Sequence, residues 1–171
     1  DFDLNEDQIA FQDTARKFAE DELAPHAAKW DAEHIFPVDV IKKSGELGFC
    51  GLYAPEDDGG LGLSRLDSAI VFEALAEACP STTAYITIHN MVTWMICTWG
   101  TDAIKSAWAA DMCMGEKLGS YCLTEPGAGS DAASLKTKAV KVDGGYEISG
   151  SKAFISGAGS TDVLVVMART G

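Results

Sequence analysis

Positive charge is scarce: 13 lysines and arginines stand against 26 aspartates and glutamates in 171 residues, a net charge of −13. A surface of that sign repels nucleic acid and anionic lipid, so neither is an expected partner. Cysteine is sparse as well. Cys50, Cys79, Cys97, Cys113 and Cys122 are odd in number, widely spaced and without a C-x-x-C pair, which argues against a disulfide framework and a zinc site. They read as buried thiols in a reducing compartment. No basic stretch followed by an apolar run and a cleavage site opens the chain, so nothing points to export. His26, His34 and His89 lie at no ligand spacing and read as solvated or core-satisfied imidazoles, and no Ser-His-Asp or Cys-His arrangement stands out.

One long stretch, 78–101, has no Asp, Glu, Lys or Arg and is long enough to cross a bilayer. Thr82, Thr83, Thr87, His89, Asn90, Thr93 and Thr98 would place many polar groups in lipid, and Pro80 trims the helical part. The expectation is a helix buried in protein and no membrane span. At this length the chain holds one good core or two small ones.

The first two thirds read as helix. Asn5 and Gln8 form a capping-box start, and Phe11, Ala15, Phe18 and Ala19 give the first helix its stripe. A second helix fits 37–47, with Pro37 in its first turn and Gly48 just past its end. PEDDGGLGLS, 55–64, is too rich in glycine and acid for a helix, and Ser64 caps a third helix running through Ala78. The uncharged fourth helix stops at Gly100, and Ile104, Ala107, Trp108 and Met112 stripe a fifth. At Leu118 the period changes to that of strands: 121–124, 137–142, a hairpin at Asp143-Gly144-Gly145, then 146–149, 152–156 and 162–168. The expected architecture is a multidomain α and β chain. An all-α bundle over 1–117 is followed by the first part of an antiparallel β-barrel or sandwich over 118–171. Because the apolar VLVVMA segment would leave an unpaired edge, the β part reads as incomplete and the chain as a fragment.

The densest chemistry lies in YCLTEPGAGSD, 121–131. Gly127 and Gly129 have no Cβ to hold a ligand away, Pro126 sets the turn, and Thr124 and Ser130 carry hydroxyls on either side. This is a cofactor loop or an ordinary hairpin corner. A relaxed G-x-G-x-x-A dinucleotide match at 127–132 fails on context, since strand residues and a hairpin follow where a helix is required. A P-loop near miss at 145–152 has its lysine displaced and no helix after it. In GSKAFISGAG, 150–159, Phe154 beside Ile155 and Ser156 offers a planar ring next to hydroxyl and backbone donors, and a second glycine turn follows. By composition alone, a core Phe in a hairpin explains it as well.

These motifs, in this order, resemble the acyl-CoA dehydrogenases, flavoenzymes that introduce a double bond between Cα and Cβ of an acyl-CoA thioester. The resemblance covers the whole chain and rests on PEDDGGLGLS, YCLTEPGAGSD and GSKAFISGAG together. It implies FAD held between the β domain and a C-terminal four-helix domain that this chain does not contain. Tyr121, Cys122, Leu123 and Thr124 would border the flavin, with Thr124 bonding its pyrimidine edge. Gly129 and Ser130 would approach the pyrophosphate, and Ser130 would also touch the acyl-CoA. Phe154, Ile155 and Ser156 would cover and flank the ring, although many members carry Trp where Phe154 stands.

Thr87 and Met91, on the fourth helix, are candidates for setting acyl chain length, and equally read as plain core residues. The segments TIHNMVTWMI and KAFISGAG look most like a member acting on a short branched acyl group. The family's glutamate base lies in the missing C-terminal domain, so the resemblance implies no catalytic residue here and an inactive fragment; Glu125 matches no catalytic position. An electron-transferring flavoprotein partner, a homotetramer, and a cytoplasmic (bacterial) or mitochondrial-matrix (eukaryotic) location are also implied. The rival reading is a non-catalytic α-helical interaction module that keeps the family scaffold.

Overall fold

A computed structural model describes residues 3–171; Asp1 and Phe2, which the expected helical domain includes, lie outside the described residues. Helix α1 (Glu6–Phe18) starts as its sequence requires: the Asn5 side chain accepts from the Gln8 N–H at 2.8 Å, and the Gln8 side chain accepts from the Asn5 N–H at 3.1 Å. Its stripe turns inward, with Ala15, Phe18 and Ala19 buried, and the chain continues through a π-turn at Ala19–Leu23. Helix α2 (Ala27–Glu33) was not anticipated. It buries no residue fully and so has no apolar stripe to betray it. Helix α3 (Val38–Gly45) is shorter than expected, because Pro37 is the capping residue and the backbone turns at Glu46.

Helix α4 (Arg65–Ala76) carries a full capping box between Ser64 and Asp67 and buries Ser68, Ile70, Val71, Ala74 and Leu75. Helix α5 (Pro80–Trp99) packs against α4 on one side and α6 (Asp102–Cys113) on the other. The bundle therefore has six α-helices among the described residues, one more than the sequence led us to expect. The face of α6 matches expectation at Met112 and Trp108 and departs from it at Ile104 and Ala107, which are exposed. Ala109, Met112 and Cys113 are its buried residues, while Ile104 is exposed. Trp108 packs on the cluster of Val92, Ile96 and Met112 and also lines, with Ile104, Met95 and Trp99, an open apolar groove of about 530 Å³.

No helix among the described residues is long and apolar enough to cross a membrane. The polar residues of α5 show why its uncharged run belongs in protein. Thr82, Thr83, His89, Asn90 and Thr93 are buried, and no buried side-chain polar atom among the described residues lacks a partner. Asn90 accepts from the Leu52 N–H at 2.8 Å and donates to the carbonyls of Phe49 and Ile86 at 2.7 and 2.9 Å, so it ties α5 to the segment after α3. Asn90→Ala strands the Leu52 N–H and weakens the satisfaction of the Phe49 carbonyl, at about 1–3 kcal/mol for each group left unpaired. The expected loss of about 2–4 kcal/mol is read from the urea midpoint, and a midpoint equal to wild type would contradict this role.

Beyond α6 the chain forms two small sheets. Strand β1 (Gly119–Cys122) pairs in parallel with β4 (Val163–Val166), from Gly119 opposite Val163 to Cys122 opposite Val166. Strands β2 (Lys138–Val142) and β3 (Gly145–Ser149) form the antiparallel hairpin that Asp143-Gly144-Gly145 announced, with Gly144 at φ 81°. Past β4, Arg169 bridges to Lys138, so the two sheets meet. The architecture is a helical N-terminal domain followed by the start of a β domain. The strand expected at 152–156 does not form. The Ala153 N–H bonds to the Thr124 carbonyl, and Phe154 then takes a left-handed conformation that ends any extended run.

Candidate functional site

The geometry begins at His89, whose ring is fully buried at the meeting point of α5, α6 and β1. The Gly119 N–H can only donate, so His89 Nδ1, at 3.1 Å, is the acceptor. Nε2 therefore carries the proton and donates to the Met112 carbonyl at 2.9 Å. Burial drives the imidazole pKa down to about 4, against a smaller upward pull from the Met112 carbonyl. A neutral, oriented histidine thus fixes where β1 leaves the helices. Asp162 holds the same strand from the other side, accepting from the Leu118 N–H at 2.9 Å and from Lys117 Nζ at 3.2 Å.

From β1 the chain runs into a tight turn, with the Glu125 N–H bonded to the Ala128 carbonyl at 2.9 Å and the Ala128 N–H to the Glu125 carbonyl at 3.1 Å. A Cβ built on Gly127 or Gly129 would meet nothing within 4 Å, so one face of this loop is open. The second loop, 150–159, lies directly against it through the Ala153 to Thr124 bond of 2.9 Å. Phe154 projects from that loop with 93% of its surface exposed and φ at 57°. A large aromatic held in a disfavoured conformation with its surface open is available to contact a ligand. Gly157 follows at φ 78°, close under Tyr85 and Thr161, where an added Cβ would come within 2.8 and 2.7 Å.

In the two loops, the hydroxyls of Thr124, Ser130 and Ser156 make no hydrogen bond among the described residues, and the N–H groups of Gly129, Ser130 and Ser156 find no backbone acceptor there. Free donors, open glycine faces and an exposed ring fit a flat heterocycle with a polar edge and a phosphate tail. Leu123, Thr124, Ile155 and Ser156 are half-buried, whereas Gly129 and Ser130 are exposed. Tyr121 is half-buried and packs on the cluster of Val92, Ile96 and Met112. The Cys122 thiol is buried, and burial raises its pKa against a smaller downward pull from Lys152 of the second loop. Thr87 and Met91 share a half-buried face of α5 with Ile88, which joins the same cluster as Tyr121. All five cysteines are buried and free, as their spacing suggested.

Two residues to which sequence reasoning gave no binding role, Glu125 of the turn and the displaced lysine Lys152, are joined here. Glu125 and Lys152 form an ion pair at 2.9 Å with side chains 7% and 11% exposed. The one available signal was a charge embedded in each glycine-rich motif where a surface residue would have been dispensable. No group of three or more potential metal ligands comes together among the described residues.

The chain belongs to the acyl-CoA dehydrogenase family: residues 5–116 match its N-terminal domain and residues 120–171 its middle domain. It is 54% identical over 168 residues to the mitochondrial isobutyryl-CoA dehydrogenase of Bos taurus, an alignment that takes in 98% of this chain and 40% of the bovine protein. The solved structure of a glutaryl-coenzyme A dehydrogenase glutaryl-CoA complex superimposes with a TM-score of 0.94 at 32% identity, covering 100% of this chain and 44% of that one. The FAD complex of PigA does so with a TM-score of 0.92 at 28% identity, covering 100% and 45%. The chain therefore spans less than half the length of these relatives.

Proposed function

We propose that this chain supplies the helical domain (1–117) and the first part of the middle domain (118–171) of an FAD-dependent dehydrogenase that acts between Cα and Cβ of a short, branched acyl-CoA. The observation that carries the reading is the exposed left-handed Phe154 set against the loop of Thr124, Gly129 and Ser130. Family membership and likeness to a protein solved with FAD support the cofactor, and the 54% identity to an isobutyryl-CoA dehydrogenase supports the substrate. In this reading Tyr121, Leu123, Thr124 and the Cys122 backbone border the isoalloxazine, and the Thr124 hydroxyl bonds its pyrimidine edge. Gly129 and Ser130 present N–H groups to the pyrophosphate, with Ser130 reaching the acyl-CoA as well. Phe154 covers the ring and Ile155 and Ser156 flank it. Bound FAD supplies the two-electron acceptor that no protein side chain provides.

The protein's part is orientation and exclusion of water. The base that takes the α-proton is assigned, on the family likeness, to the family's C-terminal four-helix domain; Glu125, the buried carboxylate between the loops, has both oxygens engaged in hydrogen bonds. An electron-transferring flavoprotein as oxidant, a homotetramer, and a mitochondrial-matrix or bacterial cytoplasmic setting complete the proposal. Purified full-length protein is expected to retain FAD and to lose its visible flavin band when isobutyryl-CoA is added without oxygen. A folded preparation that binds no flavin would leave the interaction-module reading in its place.

Thr87 and Met91 are proposed to close the acyl end of the pocket. Met91→Ala removes side-chain length from that face and is expected to shift the kcat/KM ratio of a straight six-carbon to a branched four-carbon thioester upward by about tenfold or more. An unchanged ratio would assign Met91 to the core alone.

A further inference from the structure

We propose that Glu125, Lys152 and Thr137 form a charge-locked positioning unit that sets the distance between the two cofactor loops, so that flavin binding depends on residues that do not touch the flavin. This inference rests on the flavin reading above. Glu125 Oε1 accepts from Lys152 Nζ at 2.9 Å, from the Thr137 N–H at 2.9 Å and from the Thr137 hydroxyl at 2.5 Å, while Oε2 accepts from the Lys136 N–H at 2.6 Å. Lys152 Nζ also donates to the Leu123 carbonyl at 2.9 Å. One buried carboxylate thereby joins three separate segments: the first loop, the residues leading into β2 and the second loop.

Its place in the chain gives this knot its consequence. Glu125 directly follows Thr124, and Lys152 stands two residues before Phe154. Thr137 is wedged beneath Gly150, where a Cβ would fall 2.3 Å from the Thr137 hydroxyl oxygen. A shift at any of these points moves the Thr124 hydroxyl relative to the Phe154 ring. Buried ion pairs are poor devices for stability alone, since apolar replacements often match them. Charged hydrogen bonds of defined length and direction are good devices for geometry. The bonds from Thr137, then Lys152, then the Lys136 N–H hold the Glu125 carboxyl far below the usual range, so it stays ionised wherever the protein is folded. With its lone pairs so engaged, Glu125 is a positioning residue and not a proton acceptor.

The test uses the full-length protein with its flavin removed and restored. Glu125→Gln and Lys152→Met are each expected to weaken FAD binding by about tenfold or more and to alter the visible envelope of the bound flavin, because misplacement of a supporting shell is felt at the site. The double variant is expected to bind no more weakly than either single one, and Lys152→Arg to recover most of the affinity. Single variants that bind FAD within about twofold of wild type, or losses that simply add, overturn the proposal. Should those variants fail to fold, Thr137→Val removes one hydroxyl and is expected to cost about threefold in FAD affinity, and no change there overturns it equally. Amide exchange in the flavin-free protein separates the two readings. Faster exchange at Ala153 in Glu125→Gln or Thr137→Val supports the positioning unit even if wild type takes up no FAD, whereas unchanged exchange sinks it independently of any cofactor.

Discussion

Replacing His89 with leucine is expected to destabilise the fold by about 2–4 kcal/mol and to flatten its response to mild acid. The volume is nearly preserved, so the loss is one of hydrogen bonding. The Met112 carbonyl keeps a second donor, the Gly115 N–H at 3.1 Å, but the buried Gly119 N–H loses the His89 Nδ1 that accepts from it. The acid response follows from the pKa of about 4 in the folded state against the ordinary 6.5. Between those values the unfolded chain binds a proton that the native protein does not, so stability falls as pH falls, by up to about 1.4 kcal/mol per pH unit. Across the window the total is about 3 kcal/mol.

The carboxylates act lower. Glu125, Asp67 and Asp162 have depressed pKa values, so their contribution is complete above the unfolded carboxylate range and is lost only below it. Urea midpoints measured between neutral pH and the onset of carboxylate protonation isolate the histidine. A His89→Leu protein with the wild-type slope would show that some other group carries the acid sensitivity.

Phe154→Gly is expected to act with opposite signs on stability and on function. The ring is 93% exposed, so its loss removes no packing, and glycine relieves a left-handed conformation that costs an L-residue about 1–2 kcal/mol. Part of that gain is offset by glycine's freedom in the unfolded chain, leaving the flavin-free protein unchanged or stabilised by up to about 1 kcal/mol. FAD affinity is expected to fall by about five- to 150-fold, the range spanned by loss of one aromatic stacking contact worth 1–3 kcal/mol. Urea melts of the flavin-free protein and an FAD titration measure the two effects separately. If the variant melts earlier and binds FAD as before, Phe154 is a structural residue and the ligand-facing role is lost.

The elements that were legible beforehand are those written by neighbours along the chain. Asn5 with Gln8 and Ser64 with Asp67 are pairs three residues apart, and Asp143-Gly144-Gly145 closes its own hairpin. The missed elements depended on distant partners. Helix α2 has no stripe of its own, the inward face of α6 was chosen by Ala109 and Cys113 and not by Ile104, and the 152–156 segment gave up its strand when Ala153 bonded to Thr124. Parallel pairing of β1 with β4 was equally invisible, because the strands lie far apart in sequence and their apolar patterns say nothing of direction.

By itself the sequence determined most of the helices and strands, that the uncharged run of α5 packs within the protein, and that two glycine-rich loops hold the densest set of candidate ligand-binding groups. Those are consequences of side-chain period, capping and turn geometry, all of which act within a few residues. Tertiary structure alone decided that His89 would orient β1 from 30 residues away, and that Glu125 and Lys152, 27 residues apart, would lock the two loops together. Both depend on burial: removed from water, a neutral imidazole and a paired carboxylate become directional ties, and only the folded chain removes them from water.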